Sequence, residues 1–142
     1  MQRPPSIVRY EQLYIASFIL GLIVSALTWQ VQRAALSANP LAAGAQWLVP
    51  AAMVTGIVIA VTLWYFTARR PSTAAKWVVV VLAAFSVLRI AGNLVMLMKG
   101  AFALPVLLAI VAPALYVAAA VLLFRPDARR WFGEKIDGED VA

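Results

Sequence analysis

Residues 74–98 read AAKWVVVVLAAFSVLRIAGNLVMLM, an apolar run whose charges are Lys76 near the start and Arg89 deep inside. A helix that crosses the roughly 30 Å hydrocarbon core of a bilayer needs about 20 predominantly apolar residues. The run meets that length, and Lys99-Gly100 ends it abruptly before a second apolar run begins. So short a turn predicts that these two segments form an antiparallel hairpin.

Three further runs of similar character complete the pattern, giving expected spans at 13–31, 47–68, 74–98 and 101–124. Backbone groups find no water to bond within lipid, so apolar runs of this length must be helical. Barrel strands would alternate in polarity over about ten residues, and none of the four does. The chain is 64% hydrophobic and 13% charged over 142 residues. A soluble domain is nearer half apolar and a quarter charged. The fold class expected is therefore all-α: an integral membrane four-helix bundle in one domain, with antiparallel up-down topology.

The connections set its orientation. Arg3 and Arg9 precede the first run, Arg69, Arg70 and Lys76 lie around the 69–73 turn, and Arg125, Arg129, Arg130 and Lys135 follow the fourth. The opposite side has Arg33 and Lys99. Lysine and arginine accumulate on the cytoplasmic side, which predicts both termini there. Trp29, Trp47, Trp64, Tyr65, Trp77 and Trp131 fall near the expected interfaces, as an aromatic belt does. A cleaved signal peptide ending near Ala35-Leu36-Ser37 is the rival reading of the first run. That run exceeds the usual 7–15 residues, and Glu11 interrupts its basic leader.

Both ends read as interfacial. Ser6 is placed to cap a helix running through Arg9, Tyr10, Glu11 and Tyr14. Pro126-Asp127 can open a short helix with Arg129, Arg130, Trp131 and Phe132, suited to lipid headgroups. Residues 125–142 thus read as an interfacial basic segment followed by an acidic, frayed tail from Glu134 onward.

The net charge of +6 sits at the ends of apolar runs and does not form the aromatic-interleaved patch of a nucleic-acid binder. The expected partners are membrane lipid and other membrane subunits or further copies of the chain, with no nucleic acid. The chain has no cysteine and no histidine. That excludes thiolate chemistry, paired-imidazole haem and a histidine proton relay; no catalytic residue, metal or cofactor is expected.

Three features are candidates for more than span formation. Ser17, Gly21 and Ser25 in the first run, and Ala52, Gly56 and Ala60 in the second, repeat every four residues along one helix face. Small residues there let backbones approach closely, either by packing these two helices together or at a homodimer face. In the third run, Ser86, Arg89 and Asn93 form a polar stripe, with Arg89 about 18 Å along the helix from Trp77 at 1.5 Å per residue. An arginine near the bilayer centre costs about 2.5–3.5 kcal/mol on the insertion scale, so this stripe should face protein or a water-filled gap. Tyr116 in the fourth run is its expected partner. It reads either as an anion, headgroup or subunit contact, or as a guanidinium reaching for the outer headgroups. Pro113 removes a helical hydrogen bond from the Ala109 carbonyl and should bend the fourth helix.

The segment Arg9-Tyr10-Glu11-Gln12-Leu13-Tyr14, the turn Ala68-Arg69-Arg70-Pro71-Ser72 leading to Ala75-Lys76-Trp77, and the ending Leu123-Phe124-Arg125-Pro126-Asp127-Ala128-Arg129-Arg130-Trp131-Phe132 resemble small uncharacterised four-helix bacterial inner-membrane proteins. The resemblance implies a bacterial inner-membrane location and brings no activity. Small multidrug-resistance exporters are also four short helices, but their proton exchange uses a carboxylate inside the first helix; Glu11 precedes the expected span. The sequence thus favours a non-enzymatic accessory or packing subunit or homo-oligomer. The alternative is a small transporter or channel for an anionic or amphipathic solute, using Arg89 and Asn93.

Overall fold

The computed structural model describes residues 3–42, 44–100 and 102–134, and these are all-helical. In chain order the helices are α1 (Pro5–Leu27), α2 (Trp29–Ala38), α3 (Leu48–Trp64), α4 (Thr73–Met98), α5 (Leu104–Leu122) and α6 (Pro126–Trp131), with a π-turn, Tyr65–Arg69, continuing α3. Four helices are long and apolar enough to cross a membrane: Pro5–Leu27, Leu48–Arg69, Thr73–Met98 and Leu104–Leu122. In their most apolar windows 11–22% of residues are buried inside the protein, so most of this apolar surface faces outward.

Several boundaries differ from the sequence expectation, each for a local reason. Helix α1 begins at Pro5, not near Leu13, because proline is pre-organised for a first helical turn. It therefore includes Glu11. It ends at Leu27 instead of Val31. There the Thr28 hydroxyl donates to the Val24 carbonyl at 2.8 Å, a back-bond that disturbs helix geometry, and the chain restarts as the exposed α2. Ser6 is not the cap of α1: it lies inside the first turn, and its hydroxyl and N–H both donate to Asp127, at 2.7 and 3.1 Å. The cap found instead is Ser72, whose hydroxyl accepts from the Ala75 N–H at the start of α4. After α4 the chain turns at Gly100, whose φ of 87° is left-handed and suits glycine. The short α6 forms where Pro126 and Asp127 predict it.

Packing is concentrated at the end where Ser6 meets Asp127. Helix α5 is the central element, lying against α1 on one side and α4 on the other. Ile7, Tyr10, Val79, Ala119, Leu123 and Ala128 are buried there. Rings of Tyr10, Tyr14 and Tyr116 follow one another at centroid distances of 5.4 and 5.5 Å. The Ser17 hydroxyl donates to the Ala112 carbonyl at 2.7 Å. By contrast, α3 touches α1 and α4 sparsely, and its π-turn fastens it to the packed end. The Arg70 N–H reaches back to the Tyr65 carbonyl at 2.9 Å. Thr67, inside that turn, is fully buried and 2.9 Å from the Tyr10 hydroxyl. Its carbonyl accepts from the Trp131 indole at 3.3 Å.

The end of the chain is not frayed at Glu134. Lys76 is 1% exposed, and its ammonium donates to both Glu134 oxygens, at 2.7 and 2.9 Å. The rings of Phe124 and Phe132 lie 4.7 and 5.5 Å from the same nitrogen, a cation–π cage that offsets part of its lost hydration. The rest of the expected acidic tail, Lys135 and Ala101 lie outside the described residues.

The two clamps yield a pH-dependent prediction. The Ser6 hydroxyl holds the Asp127 carboxyl below its ordinary value, and Lys76 does the same for Glu134. A depressed carboxyl pKa stabilises the fold above its unfolded value and loses that contribution as pH falls through the folded value. The melting temperature of the purified protein should therefore fall as pH drops below about 4, with a smaller fall in a Ser6→Ala, Glu134→Gln double variant. At pH 7, Glu134→Ala should destabilise more than Lys76→Met, by roughly 2 kcal/mol, because it strands a buried ammonium.

Candidate functional site

Because α3 stands away from the bundle beyond the packed end, a half-open chamber of about 590 Å³ lies between α1, α3, α4 and α5. That volume lies in the range of about 300–1,000 Å³ typical of small-molecule sites. Tyr14, Tyr116 and Leu63 line it toward the packed end, and Thr28 and Gln32 toward α2. Much of its wall is apolar, including Phe18, Met53, Ile57, Leu82 and Phe85.

Both small-residue faces border this space. Ser17, Gly21 and Ser25 line it from α1, and Ala52, Gly56 and Ala60 from α3. The expectation that the two faces pack against each other is not met: a Cβ added at Gly21 or Gly56 meets nothing within 4 Å. Small side chains here leave the wall concave. Hydrogen bonds tie these helices directly: the Tyr14 hydroxyl donates to the Ala60 carbonyl at 2.9 Å and the Trp64 indole to Glu11 at 3.1 Å. Pro113 is buried in α5 and lines the chamber together with Ala109 and Ala112. The wall is thus built beside the carbonyl that proline leaves without its helical donor.

The polar stripe of α4 is only partly brought to the site. Arg89 and Ser86 line the chamber; Asn93 does not. The Asn93 amide donates to the Arg89 carbonyl at 2.8 Å, and the Ser86 hydroxyl to the Leu82 carbonyl at 2.9 Å. Both follow the four-residue back-bonding open to short polar side chains in helices. Tyr116 lines the chamber but does not bond Arg89; its hydroxyl is buried with no hydrogen-bond partner. Its ring is drawn instead onto Tyr14. Measured from the Trp77–Phe124 ring contact, Arg89 lies about 18 Å along α4 and Tyr116 about 12 Å along α5, at 1.5 Å per residue. That offset leaves space between a guanidinium and a phenol.

Arg89 has no ion-pair or hydrogen-bond partner for its guanidinium among the described residues, and the described acids are engaged elsewhere. Glu11 accepts from Arg3 at 2.7 Å and from Arg69 and the Trp64 indole at 3.1 Å. Glu134 holds Lys76, and Asp127 holds Ser6. A guanidinium carries five N–H donors, so the chamber wall presents a donor set that an anion can accept from. Among the described residues no cluster of carboxylates could hold a metal ion.

Sequence reading missed Tyr14, Phe18, Thr28 and Gln32 as lining residues. A signal for two of them was present: the spacing of Ser17, Gly21 and Ser25 continues at Thr28 and Gln32, three and four residues on, along the same helix face. Comparison with known proteins adds nothing to this geometry, since no family model, curated protein or solved structure matches the chain.

The open wall predicts unequal tolerance to bulk. Gly56→Leu should leave thermal stability within about 0.5 kcal/mol of the parent, because the added atoms enter empty space. Ala119→Leu, at a position 0% exposed, should cost about 1–3 kcal/mol through overpacking. Parallel melts of the two variants in detergent check both.

Proposed function

We propose that the protein is a non-enzymatic multi-pass membrane protein whose chamber binds, and carries across the bilayer, a solute bearing an anionic group. The observation that carries this reading is Arg89, an exposed cation with no ion-pair partner among the described residues, on the wall of an otherwise largely apolar chamber. An ionisable group at such depth is costly and marks a binding or transport path by default. Tyr116, with its unpartnered hydroxyl, supplies a second donor for the same anion.

The membrane setting rests on four long apolar helices whose side chains point mostly outward. The distribution of lysine and arginine favours antiparallel spans with both termini in the cytoplasm. The resemblance to small bacterial inner-membrane proteins suggests that compartment. A second reading, an accessory subunit or homo-oligomer, has its own support: the uncrowded faces at Gly21 and Gly56 could receive a helix from another chain. Native mass spectrometry after gentle extraction separates the two readings by copy number and bound ligand.

Orientation is testable because the chain has no cysteine of its own. In whole cells a membrane-impermeant maleimide should label Ala38→Cys and leave Thr73→Cys unlabelled until the cells are opened. For transport, uptake of amphipathic carboxylates into sealed liposomes should be lost in Arg89→Ala by at least about tenfold, equivalent to about 1.4 kcal/mol, and largely kept in Arg89→Lys. No flux from the parent protein, or equal flux in Arg89→Ala, would refute the carrier reading.

A further inference from the structure

A second, smaller concavity of about 210 Å³ lies between α1 and α3, lined by Tyr14, Ile15, Phe18, Ala60, Val61 and Trp64. It shares Tyr14, Phe18 and Ala60 with the chamber, so those residues stand between the two spaces. The groove's own polar groups are already engaged. The Tyr14 hydroxyl is on the Ala60 carbonyl, and the Trp64 indole is on Glu11. Ile15 and Val61, 41% and 50% exposed, carry its apolar surface to the outside of the bundle. The chamber and the groove therefore differ in chemistry: the first holds a cation with no ion-pair partner among the described residues and a hydroxyl with no hydrogen-bond partner, the second presents hydrocarbon.

From this pairing we infer that the solute is a single-chain anionic amphipath, its head between Arg89 and the Tyr116 hydroxyl and its alkyl tail leaving past Phe18 into the α1–α3 groove. The inference rests on the chamber holding an anion and adds the tail and its route. Entry is then lateral, from the hydrocarbon layer, through the gap where α3 has few contacts with α1. The tail keeps apolar surroundings throughout, while the head exchanges water for a guanidinium and a phenol, both of which donate. The tail also distinguishes this solute from a small water-soluble acid, which would gain nothing from the groove.

The test uses the full chain in nanodiscs of neutral lipid, with doxyl-labelled stearate as the probe and electron paramagnetic resonance as the readout. The free acid should show a motionally restricted component that the methyl ester lacks. That component should fall by at least about tenfold, or about 1.4 kcal/mol, in Arg89→Ala and persist in Arg89→Lys. Phe18→Trp should reduce it as well, by closing the passage. Val61→Trp, at a groove position 50% exposed, repeats the block in case Phe18→Trp fails to fold. A 100-fold excess of butyrate or inorganic phosphate over the probe (about 2.7 kcal/mol of mass action against a ligand of equal affinity) should not displace it. If butyrate binds as well as stearate in an Arg89-dependent way, and both tryptophan variants are silent, the tail route is wrong while the anion chamber stands. If neither acid shows Arg89-dependent binding, the chamber reading falls with it.

Discussion

The hydrogen bond from the Ser17 hydroxyl to the Ala112 carbonyl, 2.7 Å long, marks the seam on which the rest of the structure depends. It joins α1 to α5 immediately before Pro113, where the helix already lacks one backbone donor. Below it the tyrosine rings and the Ser6–Asp127 pair continue the same seam to the end of the bundle. With α1 and α4 both committed to α5, little surface remains for α3. That helix is held chiefly at one end, through the π-turn around Thr67.

The chamber follows from this uneven distribution of contacts. In a bundle whose helices all pack along their length, rows of glycine, alanine and serine bring backbones together. Here the partner helix is anchored at one end, so the same rows widen the gap. The π-turn gives α3 its separate course, and π-bulges within helices are frequently associated with functional sites. The Lys76–Glu134 clamp and the α6 contacts close the packed end beneath it.

Within that space Arg89 is chemically out of balance with its surroundings. Each described carboxylate is held by groups at the packed end, so none among the described residues meets the guanidinium. Arg89 itself is exposed, whereas the hydroxyl of Tyr116 is buried and has no hydrogen-bond partner, where buried polar atoms ordinarily find one. Both residues line the same space from neighbouring helices, and the proposed anion would accept from both.

Four apolar helices and the short α6 were legible from residues alone, because hydrophobic run length and the Pro126-Asp127 start are local properties. The depth of Arg89 in its helix was legible for the same reason. The tertiary structure decided that Ser6 binds Asp127 instead of capping its helix, and that Glu134 covers a buried lysine. It also decided that the two small-residue faces border a chamber. Periodicity specifies which residues share a helix face; it carries no information on the distance to the next helix. That distance is set by contacts between residues far apart in the chain, such as Tyr10 with Thr67 and Ser17 with Ala112.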